Sequence, residues 1–150
     1  MTTLAELPLI TLAALAATRL RRDGRRLAVV GLPSSRREQA LSAVGAAFLA
    51  AADDGVEFTL VIPEAWAHQP GPWHDGGRVV TGMELLHLDA IVPWDAVGYG
   101  ACVLSALARA GISVGFYSGY AHDSLLIPAA SLEQAMAVLS ALIAAAQDLV

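Results

Sequence analysis

The sequence predicts an α+β fold in which helices pack on one face of mostly antiparallel sheets. Strand periodicity appears at Val56–Ile62 and at Ile112–Phe116, where apolar side chains alternate with polar or small ones. Helical periodicity appears between Gly98 and Gly111 and again from Leu132 to Ala146. Because each apolar helix face needs an apolar sheet face to cover it, these patterns favour ferredoxin-like (βαββαβ) modules, and 150 residues are enough for two of them.

Residues 1–24 are set apart as an N-terminal segment, and two patterns describe this segment differently. Leu9–Leu12 fits a strand, whereas Leu12, Ala16 and Leu20 fit one face of a helix. The charged run Arg21–Arg26 contains Asp-Gly and predicts a turn.

Residues 25–82 form the first predicted module. Leu27–Leu32 is typical of a strand, and the two serines after Pro33 are typical caps for a helix over about 36–46. Asp54-Gly55 before an alternating run indicates a hairpin, although helical periodicity alone would extend the helix to Ala52. The proline- and glycine-rich residues 65–77 predict a surface loop.

Residues 83–150 form the second predicted module. Met83–Val92 predicts a strand, and Gly111 follows the next helix where a left-handed residue would end it. A polar turn over Ser118–Ser124 separates the two short strands that follow. Ser131 with Gln134 three residues later is a capping-box pattern at the start of the last helix.

Composition limits the class of protein and indicates the cellular compartment in which it functions. Hydrophobic residues make up 56% of the chain and the mean hydropathy is +0.57, yet no window offers about 20 consecutive apolar residues, so no membrane span is predicted. Apolar surface beyond the needs of a small core indicates a homo-oligomer, with a dimer expected. The single cysteine, Cys102, excludes an intramolecular disulfide, and no basic residue precedes Arg19 as a signal peptide would require. We therefore expect a cytoplasmic protein.

The charged residues argue against nucleic acid and metal as partners. The net charge is −5, and seven of the nine arginines lie between Arg19 and Arg37 in a run without aromatic residues, which favours a solvated turn over a nucleic-acid site. His68 and His74 beside Asp75 raise a metal hypothesis, but two imidazoles six residues apart on a loop lack ligand spacing that fixes tetrahedral geometry. We expect neither a metal nor a cofactor.

The second module resembles an ACT domain, of the stand-alone tandem kind related to aspartate kinase regulatory domains and cytosolic arginine sensors. The resemblance rests on Gly98 at the helix entrance, on Leu107–Ser113 (LARAGIS) at the helix end, on the turn Ser118–Asp123 (SGYAHD), and on Leu126–Ala135. The first module is similar to the partner module of that family through its strands, at 27–33 and 57–64, and this similarity favours a strand over 48–52. Two threonines that the family carries in the turn are replaced by Gly119 and His122.

The resemblance implies a non-catalytic, amino-acid-binding regulatory protein of two ACT-like modules. A helix N-terminus would receive the ligand's carboxylate, and a carboxylate and hydroxyl on the turn would take its ammonium group. The expected ligand-binding residues are Ala96, Val97, Gly98, Tyr99, Ser118, Gly119 and Asp123.

Two other classes of function stay open. The lost threonines fit a ligand-free interaction module that dimerises or docks an enzyme. An enzyme is a third class, with His122 as general base and Asp123 as its orienter, near Tyr117 or Tyr120. Adjacent residues in an extended turn point apart, and the chain shows no nucleophile motif or phosphate loop, so we expect no catalysis.

Overall fold

The computed structural model describes residues 4–150, and its contacts divide the chain into two units. One unit is Gly24–Glu84, and the other joins the residues up to Asp23 with Leu85–Val150. In chain order the helices and strands are α1 (Leu9–Ala17), β1 (Arg19–Arg22), β2 (Leu27–Pro33), α2 (Arg37–Val44), β3 (Ala50–Asp53), β4 (Glu57–Pro63), α3 (Glu64–Ala67), β5 (Arg78–Asp89), α4 (Tyr99–Arg109), β6 (Gly115–Ser118), β7 (Asp123–Pro128) and α5 (Leu132–Gln147).

The Gly24–Glu84 unit is a sheet in the order β3-β4-β2-β5, to which β5 contributes its first half. All three neighbouring pairs are antiparallel, and β2 faces β4 with Leu27 opposite Pro63. Alternate residues of β2 and β4 enter one core, as period-two alternation requires. That core also holds helix α2 and an indole from the loop after α3, and its buried members are Ala28, Val30, Leu32, Ala40, Val44, Phe58, Leu60, Ile62, Ala67 and Trp73.

The hairpin between β3 and β4 is closed by two aspartate side chains. The backbone N–H groups of Val56 and Glu57 donate to Asp54 Oδ1 at 2.8 and 2.7 Å. The N–H of Gly55, which has a φ of 86°, donates to Asp53 Oδ1 at 3.0 Å. Asp-Gly is a typical hairpin signal because the carboxylate accepts turn N–H groups and glycine adopts a positive φ without strain. The hairpin expected from Asp54-Gly55 is present, and the strand expected over residues 48–52 is found at Ala50–Asp53.

Replacing Asp54 with alanine is expected to lower the midpoint of thermal unfolding, because two turn N–H groups lose their acceptor. The N–H groups of Glu57 and Val56 hold the pKa of Asp54 below its usual value. A lowered folded-state pKa stabilises above the unfolded pKa of about 3.9, and this stabilisation is lost as the pH falls through the folded pKa. Wild type and Asp54→Ala should therefore differ at pH 7 and converge, in calorimetry, as the pH falls through the lowered folded-state pKa of Asp54. Asp95→Ala, at an exposed aspartate, should shift the midpoint little; an equal shift would contradict the turn assignment.

The second unit has the strand order β1-β5-β7-β6, to which β5 contributes its second half. β1 is antiparallel to β5, with Arg19 opposite Asp89, and β6 is antiparallel to β7, with Ser118 opposite Asp123. Helices α1, α4 and α5 cover the sheet with one core. The buried members of that core are Ala14, Leu15, Leu86, Leu88, Tyr99, Val103, Leu107, Ile112, Leu125, Ile127, Leu132, Ala135, Leu139 and Ala146.

The structure of the N-terminal segment differs from one prediction, the charged turn, and distinguishes between the two alternatives of strand and helix. Leu9–Ala17 is a helix, so the helical alternative is right for Leu12 and Ala16, whereas Leu20 lies in strand β1. The prediction of a turn beginning at Arg21 was wrong, because Arg19–Arg22 pairs with β5 as a strand. Arg21 donates to both carboxylate oxygens of Asp89, at 2.6 and 3.1 Å, and Arg22 donates to Glu133 at 2.6 Å. A strand at the edge of its unit's sheet can carry charged side chains. Strand β1 therefore lacks the alternating hydrophobic pattern by which strands are predicted from a sequence.

Predicted caps and some boundaries also differ from the structure. The serines after Pro33 do not cap α2 through their side chains; instead, the Ser34 hydroxyl donates to Asp53 at 2.7 Å. The capping box is absent as well, since Gln134 donates to the carbonyl of Ala110 at 3.4 Å. Strand β6 begins at Gly115 rather than Ile112, which is buried outside any strand. Gly111 does end its helix with a φ of 72°.

The residues around α5 have the length and composition of a membrane span. Ala129–Gln147 is long and apolar enough to cross a membrane, a property that it shares with core helices of soluble proteins. One face of α5 packs in the core of its unit through Leu132, Ala135, Leu139 and Ala146.

Candidate functional site

A pocket of about 190 Å³ opens at the start of α4, within the unit that contains Leu85–Val150. Three segments build it: the residues after β5, the first turn of α4, and the β6–β7 hairpin. Its lining is partly aromatic and contains one ionisable carboxylate. The lining residues are Val92, Pro93, Trp94, Ala96, Tyr99, Gly100, Phe116, Ser118, Gly119, Tyr120, Ala121 and Asp123.

Local sequence explains why α4 begins at this place. Gly98 precedes the helix with a φ of 95°, a conformation that favours glycine, and a Cβ there would lie 3.0 Å from Leu7 Cδ2. The N–H of Cys102 donates to the Gly98 carbonyl at 2.9 Å, the first bond of the helical ladder. The N–H groups of the first turn precede that ladder and have no acceptor within the helix. Gly98 therefore sets the entry of the helix beside the pocket.

Asp123 supplies the carboxylate of the pocket. It is 7% exposed and accepts the Ser118 hydroxyl at 2.7 Å on Oδ1. The turn is closed by the N–H of Gly119, which donates to the carbonyl of His122 at 3.0 Å. Among the residues that the structure describes, no arginine or histidine forms an ion pair with Asp123. A buried carboxylate with a neutral partner facing a pocket attracts a cationic group.

Tyr99 forms a buried polar wall of the pocket. The Thr18 hydroxyl donates to the Ala14 carbonyl at 2.8 Å, so its proton is already used and the Tyr99 hydroxyl donates to Thr18 at 2.9 Å. Burial raises the pKa of Tyr99, and the nearby charge of Asp123 adds to the rise. Tyr99 is thus a neutral phenol whose one proton is committed to the protein.

Two large aromatic side chains stand at the rim. Trp94 is 82% exposed and Tyr120 is 87% exposed. Their ring centroids are 6.4 Å apart with the planes tilted by 60°. Trp94 follows β5 and Tyr120 lies in the β6–β7 turn, so the fold brings together two residues distant in sequence.

Five of the seven expected ligand-binding residues line this pocket: Ala96, Tyr99, Ser118, Gly119 and Asp123. The other two lie beside it. Val97 points to solvent, and its carbonyl accepts the Thr11 hydroxyl at 2.8 Å, while Gly98 serves as the helix entrance. Trp94, Phe116 and Tyr120 also line the pocket but were not among the expected ligand-binding residues. Their aromatic character was visible in the sequence, but nothing local indicated that they would meet.

The residues considered for catalysis or for metal binding do not form a common site in the structure. His122 Nδ1 lies 3.1 Å from the carbonyl oxygen of Ala90, while Asp123 is bonded to Ser118, so the two are not hydrogen-bonded as base and orienter. His68 lies 3.5 Å from Glu64, and His74 bonds to the carbonyl of Gln69 at 3.0 Å. Within residues 4–150 no group of three or more His, Cys, Asp or Glu side chains is placed to hold a metal. Cys102 is half-buried, and burial raises the pKa of its thiol.

Comparison with known proteins points to one family for the region around the pocket. Residues 87–141 match the family model of the ACT domain. No curated protein matches the chain. The match covers the end of β5, all of α4, the β6–β7 hairpin and residues 132–141 of α5, and it includes every residue that lines the pocket.

Solved structures share the fold at low identity. A protein from Agobacterium tumefaciens is 21% identical with a TM-score of 0.68, over 84% of this chain and 89% of that one. A structure of aspartokinase alpha and beta subunits is 19% identical with a TM-score of 0.68, over 84% of this chain and 98% of that one. The regulatory subunit of aspartate kinase from Thermus thermophilus is 16% identical with a TM-score of 0.64, over 83% of this chain and 95% of that one. These likenesses show an α+β fold, and within it residues 87–141 are similar to the ACT domain.

Proposed function

We propose that the protein is a non-catalytic regulatory protein that binds an amino acid in the pocket at the start of α4. The observation that carries the proposal is Asp123, a buried carboxylate bonded to a neutral hydroxyl and facing a pocket inside the matched ACT region. The structural likeness to the regulatory subunit of aspartate kinase from Thermus thermophilus is in keeping with a regulatory role. A ligand would act by stabilising one arrangement of the protein over another.

The two ends of the pocket suit the two ends of an amino acid. The first turn of α4, at Tyr99 and Gly100, offers N–H groups and the positive end of an 11-residue helix to a carboxylate. Asp123 and Ser118 offer oxygen acceptors to an ammonium group. The pocket volume of about 190 Å³ limits the ligand to a small molecule.

We also propose that the chain holds two ferredoxin-like, ACT-like modules in tandem, bounded near residues 25–82 and 83–150. The strand orders β3-β4-β2-β5 and β6-β7-β5-β1 support this. The central pair is the first and third strand of each proposed module, β2 and β4 in one and β5 and β7 in the other, as in a ferredoxin-like fold. In the second unit β1, from the N-terminal segment, takes the place of a fourth strand. We further propose that the protein is an ACT protein of the arginine-sensor kind and that it forms a homodimer. We also propose that it is a cytoplasmic protein of bacterial origin.

The test is a thermal-shift screen of the twenty amino acids against the wild-type protein. A ligand at a hundred times its Kd is expected to stabilise the fold by about 2.7 kcal/mol. Asp123→Asn keeps the shape but removes the charge, and it should abolish the shift. Asp95→Asn removes an exposed carboxylate outside the lining and should leave the shift unchanged.

Two outcomes would contradict the proposal. If no amino acid shifts the midpoint, the protein is better described as a ligand-free interaction module, a candidate that the exposed pair Trp94 and Tyr120 favours. If a shift survives Asp123→Asn, the ligand binds outside this pocket.

A further inference from the structure

The charge of the pocket lining is unbalanced. Asp123 is the one acidic side chain among the lining residues, and none of them is arginine or histidine. The helix N-terminus supplies partial positive charge for one carboxylate, equivalent to about half an elementary charge. A ligand's carboxylate and ammonium group would therefore occupy both charged features of the pocket. No positive group would remain in the lining to favour a second negative charge on the ligand.

The rim adds two aromatic faces to this unbalanced pocket. Trp94 and Tyr120 are the most exposed large aromatic side chains of the described residues, yet both line the pocket and lie against each other. The segments that carry them are joined by a backbone bond from the N–H of Val92 to the carbonyl of Ala121 at 3.4 Å. The faces of tryptophan and tyrosine attract cations through their ring quadrupoles.

We infer that Trp94 and Tyr120 are specificity-determining residues that receive the cationic side chain of a ligand with net positive charge. This inference rests on the proposed function, since it assumes that Asp123 and the start of α4 hold the ammonium and carboxylate groups. The side chain then extends toward the rim and lies over the two rings.

The position of the pair at the rim favours a cationic group over an aliphatic one. Both rings are more than four-fifths exposed, so a group lying on them stays partly in water. A cation keeps part of its hydration there while gaining the attraction of the rings, whereas an aliphatic group is only partly removed from water and gains less. An aliphatic side chain would find better cover deeper in the pocket, against Phe116 and Val92.

The inference is tested with two pairs of probes that differ in charge at nearly constant shape: L-lysine with L-norleucine, and L-arginine with L-citrulline. Affinity is measured by calorimetry and by tryptophan fluorescence, since Trp94 lies at the rim. We expect at least one cationic probe to bind wild type roughly 3- to 30-fold more tightly than its neutral partner.

Variants locate the effect. Trp94→Ala and Tyr120→Ala should each weaken the cationic probe roughly 3- to 30-fold, while Trp94→Phe and Tyr120→Phe should retain more of the affinity. Both residues are exposed, so the fold should survive, which circular dichroism checks. Ile91→Ala is the matched control, because Ile91 is 76% exposed and lies outside the lining. It should bind as wild type does.

The outcomes separate this inference from the proposed function. If an amino acid binds and Asp123→Asn abolishes binding, but neutral probes bind equally or the two alanine variants have no effect, the aromatic pair is not the specificity element and the proposed function stands. If no amino acid binds wild type, both are overturned.

Discussion

Replacing Trp73 with alanine is expected to lower the free energy of unfolding by about 3–5 kcal/mol. The indole is 2% exposed in the core of the Gly24–Glu84 unit, and its N–H donates to the carbonyl of Ala67 at 3.2 Å. Alanine would leave a cavity of nearly a whole indole and one carbonyl without its donor. Chemical denaturation followed by circular dichroism measures the loss.

The loop around Trp73 cannot easily collapse into that cavity. Arg36 donates to the carbonyl of Pro72 at 3.1 Å and to Asp75 at 3.0 Å, which holds the loop in place. A Cβ at Gly71 would lie 2.4 Å from the indole, so the chain approaches the ring as closely as glycine permits. The control Trp94→Ala removes an 82% exposed indole and should change stability by about 0.5 kcal/mol or less. A similar loss in both variants would contradict the core placement.

Replacing Leu107 with alanine is expected to cost about 2–5 kcal/mol. Leu107 is fully buried in the core of the second unit, where α4 meets α5 and the sheet. The same helix supplies Tyr99 and its first-turn N–H groups to the pocket, so ligand affinity should weaken along with stability. Denaturation in the presence and absence of the ligand measures both.

Leu104 provides the matched control on the same helix. It is half-buried and lies outside the core cluster, so Leu104→Ala should cost about 1 kcal/mol or less. If Leu104→Ala proved the more destabilising of the two, the face of α4 that packs on the sheet would have been misassigned.

The helix of residues 132–147 and the strand of residues 57–63 were predictable because their signals are local. Apolar residues three and four apart, or two apart, define one buried face whatever the neighbouring element is. The turns were predictable for a similar reason, since Asp54-Gly55 and Gly111 meet conformational needs within a few residues. The prediction of helix caps failed because a serine hydroxyl can reach several acceptors. The acceptor of the Ser34 hydroxyl is Asp53, 19 residues away in the chain.

The candidate site was predictable in part. Ser118 and Asp123 lie five residues apart, and a tight turn brings them together, so the sequence pointed to them. The helix entrance at Gly98 was visible for the same reason. The aromatic rim was not visible, because Trp94 and Tyr120 belong to different segments and meet only through the pairing of strands around them.

Interactions between residues close in the chain specify the α+β class, the main helices, the hairpins and the polar turn at Asp123, so local patterns were enough to predict them. Three arrangements became evident in the folded structure alone: Arg19–Arg22 pairs with β5 as a strand, Trp73 fills a core, and Trp94 lies against Tyr120 at the rim of the pocket. Those arrangements depend on contacts between distant segments, whose partners no local periodicity specifies.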